Sequence, residues 1–387
     1  MIKNKNKRQI ISGATIFNGN EFLDDHLLVV CDEKITEIIH KNNYNKIAED
    51  AEHIEFNGGI LTAGFIDIQV NGGGGILLND EPSVAGMKAI IAAHRKFGTT
   101  AMLPTLISDS SEKMQVAVNA ANQALEQGIS GMVGLHLEGP YFNIARKGVH
   151  LPAMIRDVDN GVAELYKTLK NGVLMVTLAP EKVPAGFIKD LTDAGILVYC
   201  GHSDGTYEQI QAALGEGLCG FTHLFNAMSP MLNREPGVVG AALEDEETFV
   251  GIILDNQHVA KATAKVAINA KKRGKMCIIT DAMPPVGAVS PHFELYGEAI
   301  QVKDSYCITD AGTLAGSALD MATAVRNCHK ILGFELGETL RMASLYPANA
   351  LRLGHKIGQL KTGLQADIVH LDDDLFVTRT AVKGDWN

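Results

Sequence analysis

The chain has 387 residues, 46% of them hydrophobic and 20% charged, with a formal net charge of -11. That length allows one large domain plus a small one with a sizeable core, and the composition excludes a disordered chain. The acidic balance excludes a general nucleic-acid or membrane-surface binder, so an anionic substrate requires a local basic pocket.

From Gln9 to Ile39 the pattern predicts short strands at Ile10-Ile11, Ala14–Ile16, Leu27–Val30 and Ile35–Ile39, with a turn at Asn18-Gly19-Asn20. A second strand-like set closes the chain: Gly358-Gln359-Leu360, Ala366–Leu371 and Val377–Val382. Both ends therefore read as pieces of one small β-domain, residues 1–60 with 355–387. Between them, over 61–354, apolar strands alternate with helical segments. The strands are Gly64–Gln69, Thr99–Leu103, Met132–Leu137, Val173–Leu178, Ile196–Cys200, Gly220–Thr222, Phe249–Leu254 and Met276–Thr280. Helical spacing is carried by Val84–Phe97, Glu112–Gln127, Val162–Lys170, Ala185–Ala194, Tyr207–Glu216 and Val259–Arg273. Eight strands with helical crossovers predict an α/β fold, a parallel (β/α)8 barrel rather than an open sheet. Ala322–Leu332 and Leu336–Leu345 read as added helices that return the chain to the small domain. Asn71–Gly75 reads as a flexible loop, because it lacks the context of a phosphate-binding glycine fingerprint.

No uninterrupted apolar run approaches the length of a membrane span. The first eight residues are rich in Lys and Asn and lead into no apolar segment, so no secretory signal is read there. Cys31, Cys200, Cys219, Cys277, Cys307 and Cys328 form no C-x-x-C pair, and are read as reduced thiols of a cytoplasmic protein.

The stretch Val133-Gly134-Leu135-His136-Leu137-Glu138-Gly139-Pro140 is an apolar run of strand length that ends in a carboxylate. By itself a Glu before Gly-Pro is ordinarily a solvated turn residue. A lone His after an apolar strand is ordinarily a hydrogen-bonded structural residue. In this chain, however, Glu138, His202, His223 and Asp281 all fall at predicted strand ends, which a barrel gathers on one rim. One Glu and two neutral imidazoles are a ligand set typical of catalytic zinc. Asp281 is then placed to take a proton from the activated water. His136 shares a strand face with Glu138 and reads equally as a core residue or as support for the site. His329, His355 and His370 read as surface or packing residues.

The chain resembles the N-acetylglucosamine-6-phosphate deacetylases of the amidohydrolase superfamily. The matching segments are Ala63–Asp67, Leu135–Pro140, Gly201-His202-Ser203, Thr222–Met228, Arg234–Gly237, Thr280-Asp281-Ala282, Leu314–Ser317 and Gly358–Asp367. The resemblance implies a TIM-like barrel with a small β-sandwich built from both termini. It also implies hydrolysis of N-acetylglucosamine 6-phosphate to glucosamine 6-phosphate and acetate, in amino-sugar catabolism and cell-wall sugar recycling. By resemblance Glu138, His202 and His223 hold one divalent ion, Zn2+ or Fe2+, and Asp281 is the general base and then the acid. His150 contacts the substrate near its acetamide carbonyl, Asn226 and Ala227 contact the sugar, and Arg234 and His258 hold the phosphate. Part of the phosphate site comes across a dimer interface in these enzymes, which implies a homodimer. A competing reading for Arg234 is a surface pair with Glu235 or Glu244.

One departure stands out. Many amidohydrolases carry His-x-His on the first strand, where a second metal binds, but this chain has Gln69-Val70-Asn71. Loss of two imidazoles favours a mononuclear centre, with Gln69 bonding solvent or shaping the pocket. Three other functions compete: a deacetylase of N-acetylgalactosamine 6-phosphate, a cyclic amidase of the dihydropyrimidinase kind, and a non-catalytic binding protein of the same fold. The cyclic amidase needs a rim lysine, yet the fourth strand ends Leu178-Ala179-Pro180. The binding protein would have lost ligands or base, and all four residues are present.

Overall fold

The structure, a computed structural model, describes residues 8–44, 51–290 and 292–387. The stretch read as lacking a secretory signal lies, but for Arg8, outside the described residues.

Eight parallel strands form the central sheet, and their order in space follows their order in the chain. They run Phe65–Val70, Thr99–Ile107, Gly134–Glu138, Val173–Leu178, Leu197–Cys200, Gly220–Phe221, Phe249–Ile253 and Met276–Ile279. The first three are buried along their whole length, as expected of strands covered by helices outside and packed side chains inside. Their apolar residues form the main core with those of the surrounding helices. The end of the first strand meets the residues just beyond the eighth: Asp281 N donates to Gln69 O at 3.0 Å, and Val70 bridges Ala282 in parallel. The sheet thereby closes into a barrel.

The outer helices begin where small polar residues can accept their free amide groups. Ser83 accepts from Gly86 N before Val84–Arg95, and Ser110 from Lys113 N before Ser111–Glu126. Thr206 and Gln209 bond reciprocally across the start of Tyr207–Gly215. A helix not read from the sequence, Gly237–Glu244, fills the connection between the sixth and seventh strands. Its residues are almost all small and apolar, so the run lacks the polar face that signals a helix.

The chain termini form two further sheets. One holds Lys34–His40, His26–Cys31, Arg8–Ser12 and Glu52–Glu55. The other holds Asp385–Trp386, Val377–Val382, Ile368–Leu371, Ile60–Ala63, Thr15–Phe17 and Phe22–Leu23. A shared apolar cluster that includes Ile11, Leu28, Ile35, Leu61 and Ile368 joins residues from both chain ends. Gly358-Gln359-Leu360 is not a strand. Gly358 takes φ +95°, and a Cβ there would lie 2.6 Å from the Cβ of Ala348, so the segment is a close-packed turn.

Two more differences lie near the barrel's C-terminal rim. Asn71–Gly75 is not a free loop, since Gly72-Gly73 pairs antiparallel with Ile76-Leu77. A Cβ on Gly72 would meet Ile76 O at 2.4 Å and one on Gly73 would meet the His94 ring at 2.8 Å, so these two glycines permit close approach. After the eighth strand, Phe293–Leu295, Glu298–Lys303, Tyr306–Ile308 and Leu314–Ser317 form a four-stranded antiparallel sheet. It has its own small apolar cluster of Leu295, Ile300, Cys307 and Ala315 against Leu77, Ile107 and Met283. All six cysteines are unpaired.

Candidate active site

Glu138 is the last residue of the third barrel strand. His202, His223 and Asp281 each stand two residues beyond the ends of the fifth, sixth and eighth strands. Glu138, His202 and His223 are buried, and Asp281 is partly buried. The latter three take positive φ values of 50°, 31° and 52°. Such backbone costs a non-glycine residue about 1–3 kcal/mol and clusters at functional sites. At this rim it turns three side chains inward at the point where their strands stop.

Three ligand-capable atoms converge. His223 Nε2 lies 2.9 Å from Glu138 Oε1 and 3.1 Å from His202 Nε2, while His202 Nε2 lies 3.4 Å from Glu138 Oε1. His202 Nδ1 donates to Arg146 O at 2.8 Å, which leaves its Nε2 with a lone pair pointing into the cluster. Burial disfavours charge on Glu138, but the adjoining His202 and His223 rings outweigh it and hold its carboxyl well below the ordinary range. An anionic oxygen and two imidazole nitrogens this close together can be joined by a shared proton or by a cation. Glu138, His202 and His223 could therefore hold a metal ion, and their atom types suit a borderline cation.

Asp281 sits beside this cluster. Burial, and then the charge of Glu138, push its carboxyl up to about 6. Its Oδ1 accepts from Gln69 Nε2 at 3.0 Å and from Asn71 Nδ2 at 2.7 Å. Gln69 Nε2 also donates to Glu138 Oε1 at 3.1 Å. Gln69 thus bonds two carboxylates rather than solvent, because the rim there is sealed and the residue is only 1% exposed. His136 lies deeper, between Thr105 Oγ1 (3.1 Å) and Thr177 Oγ1 (2.8 Å). Burial lowers its pKa to about 4, so it is a neutral, doubly bonded support beneath Glu138.

A cleft of about 350 Å³ opens over the cluster, lined by Glu138, His150, His202, His223, Asn226, Ala227, His258 and Asp281 among others. His150 Nδ1 accepts from Ser108 N (3.4 Å) and lies 2.8 Å from Ser108 Oγ. Burial, followed by the electrostatic effect of the neighbouring His202, lowers its pKa well below the ordinary value. Its imidazole is therefore neutral, and with Nδ1 accepting, Nε2 carries the proton. His258 Nδ1 donates to Asp255 Oδ2 at 2.6 Å, and Asp255 Oδ1 also accepts from the backbone of Gln257 and His258. This carboxylate fixes the ring so that Nε2 is the atom left for a ligand.

Arg234 does not line the cleft. It lies on an exposed segment with Met231 (57% exposed) and Leu232 (56%), and among the described residues it pairs with neither Glu235 nor Glu244. His329 bonds Phe334 O, His355 is exposed and His370 packs against Phe56, so none of the three reaches the site. Reading the sequence missed Ser108, Asp255 and Gly312–Gly316, which also lines the cleft. Asp255 had a local signal, an Asp three residues before a His in a polar turn. The others become neighbours of the site only through tertiary packing.

Comparison with known proteins agrees with this geometry. The sequence model of the amidohydrolase family matches residues 60–387. An N-acetylgalactosamine-6-phosphate deacetylase of Shewanella sp. (strain ANA-3) is 41% identical over 337 residues, covering 87% of this chain and 85% of that protein. An N-acetylglucosamine-6-phosphate deacetylase of Haemophilus influenzae is 34% identical, covering 96% and 97%. The crystal structure of N-acetylglucosamine-6-phosphate deacetylase from Pasteurella multocida superposes with a TM-score of 0.94 at 36% identity, covering 98% of this chain and 99% of that one.

Proposed function

The chain belongs to the amidohydrolase family, and from that premise we propose that it hydrolyses the acetamide of N-acetylglucosamine 6-phosphate, giving glucosamine 6-phosphate and acetate. The observation that carries the proposal is the convergence of Glu138, His202 and His223 on one point, with Asp281 beside it at the mouth of a barrel. Relatives named for this activity, alike over nearly their whole length, support the same reading.

Glu138, His202 and His223 would hold one divalent ion, Zn2+ or Fe2+. When bound, such an ion lowers the pKa of water to near neutrality and polarises a carbonyl. The chain's own residues do the rest. Asp281 removes a proton from the attacking water as its oxygen bonds to the acetamide carbon. His150, neutral and with Nε2–H free, donates to the carbonyl oxygen as negative charge develops there. Asp281 then passes its proton to the nitrogen as the C–N bond breaks, since an amide anion is too poor a leaving group to depart unprotonated. Asn226 and Ala227 contact the sugar, and His258, held by Asp255, presents Nε2 towards the phosphate.

Arg234 would complete the phosphate site from the neighbouring subunit of a homodimer. That it does not line the cleft of its own chain, and that its neighbours Met231 and Leu232 are exposed and apolar, support that arrangement. A second reading, N-acetylgalactosamine 6-phosphate as substrate, is favoured by the 41% identity to the Shewanella enzyme. The two sugars differ only in the configuration at C4. Acetate release should be measured on both 6-phosphates and on both unphosphorylated sugars. A higher kcat/KM on the galactose epimer would replace the first reading by the second, and no acetate from either phosphate would end both.

A further inference from the structure

We propose that Gln69 and Asn71 are positioning residues that clamp one oxygen of Asp281 so that its other oxygen alone handles the proton. The proposal rests on the deacetylase function, and adds to it two residues on the first barrel strand and just beyond its end.

The geometry is asymmetric. Asp281 Oδ1 accepts two amide N–H bonds, from Gln69 at 3.0 Å and Asn71 at 2.7 Å. Among the described residues no donor bonds Oδ2, although Asp281 lines the cleft. A carboxylate serving both as base and as acid must not rotate between the two steps, or the proton is carried away from the departing nitrogen. Two donors on one oxygen prevent that rotation and leave the other oxygen available. Side-chain amides suit this task. They donate firmly but do not titrate, so neither competes for the proton.

Gln69 adds a second restraint. Its Nε2 also bonds Glu138 Oε1 at 3.1 Å, so one NH2 group spans two carboxylates that would otherwise repel each other. Both amide side chains are almost wholly buried. Asn71 Oδ1, moreover, is buried with no hydrogen-bond partner among the described residues. An unpaired buried acceptor disfavours the folded state. An apolar residue would avoid that penalty if the position served only packing, so the asparagine is held for its donor.

The test is a double-mutant cycle on acetate release, with Asn71→Ala and Asp281→Asn made singly and together. If Asn71 acts through the base, Asn71→Ala should lower kcat about 10- to 100-fold, as for other outer-sphere partners, with KM within about threefold. In the Asp281→Asn background the same change should cost less than about threefold, because there is no base left to hold. Metal content, measured by mass spectrometry of the purified variants, should stay equal to that of the wild type. Asn71→Leu, which keeps much of the side chain's volume, repeats the cycle should the alanine variant not fold. Equal losses in both backgrounds, a wild-type kcat in Asn71→Ala, or loss of the metal would each overturn the clamp. Those outcomes leave the deacetylase function standing, whereas a wild-type enzyme that releases acetate from neither 6-phosphate removes that function itself, and with it the base that the clamp serves.

Discussion

Asp281 combines burial, a neighbouring carboxylate and two amide donors, and these pull its proton affinity in opposite directions. The proposed mechanism uses that balance twice, once to accept a proton and once to return it. Asp281→Asn should therefore keep the fold and the metal but lose several orders of magnitude in turnover, since one general acid–base step contributes about 100- to 10,000-fold. A variant retaining more than about a tenth of wild-type kcat would remove Asp281 from the chemistry. Arg234 makes a different kind of prediction. Arg234→Ala should lose about 2–4 kcal/mol in kcat/KM for the 6-phosphate, as for unpairing a desolvated charged hydrogen bond. Activity on the unphosphorylated sugar should hardly change. An equal loss on both substrates would make Arg234 a residue of the fold.

The element that closes the barrel is the seam between the first and eighth strands. There Asp67, fully buried, accepts from Thr280 Oγ1 at 2.5 Å and from the backbone of Gln69 and Thr280. Burial above all pushes its carboxyl up to about 7. An unfolded Asp titrates near about 3.9, so between those values the folded protein holds a proton that the unfolded chain has released. The stability linked to that proton is complete below about pH 4 and lost as pH rises through about 7. Asp67→Asn cannot ionise, so its stability should fall less over this window. The urea midpoints of both proteins at pH 5 and pH 8 test this. With a shift of about three pH units, the difference between them should be about 1–4 kcal/mol, and parallel pH dependence would show that Asp67 ionises freely in the fold.

At the scale of the whole molecule, the net charge of -11 leaves attraction for a dianionic sugar phosphate to a few placed donors. His258 is the donor proposed within the chain, and Arg234, on its exposed apolar segment, the one proposed from a partner. Sedimentation should therefore show a homodimer, and replacing Met231 and Leu232 with Asp should dissociate it and weaken turnover of the phosphorylated sugar. A monomeric wild type with full activity would refute the shared site. Removing metal with a chelator should abolish acetate release, and restoring about one ion per chain should recover it. Two tightly held ions per chain, both needed, would contradict the proposed role of Gln69 and Asn71.

How much of the fold and the site was legible in the sequence follows from which interactions are local. The eight barrel strands were readable because each is an apolar run bounded by turn residues, and Val173–Leu178 matches to the residue. Glu138, His202, His223 and Asp281 were readable because position at a strand end is a local property, and the barrel rim does the gathering. The four-stranded sheet at 293–317 was not, since Glu298–Lys303 is exposed on most of its length and carries little apolar signal. Nor was the helix Gly237–Glu244, whose uniform apolar run hides its period. The sequence by itself determined which residue types stand at the rim. Only the tertiary structure decided that Gln69 and Asn71 donate to a carboxylate 212 and 210 residues away, because a hydrogen bond between distant segments depends on where the fold brings them, and no local pattern encodes that meeting.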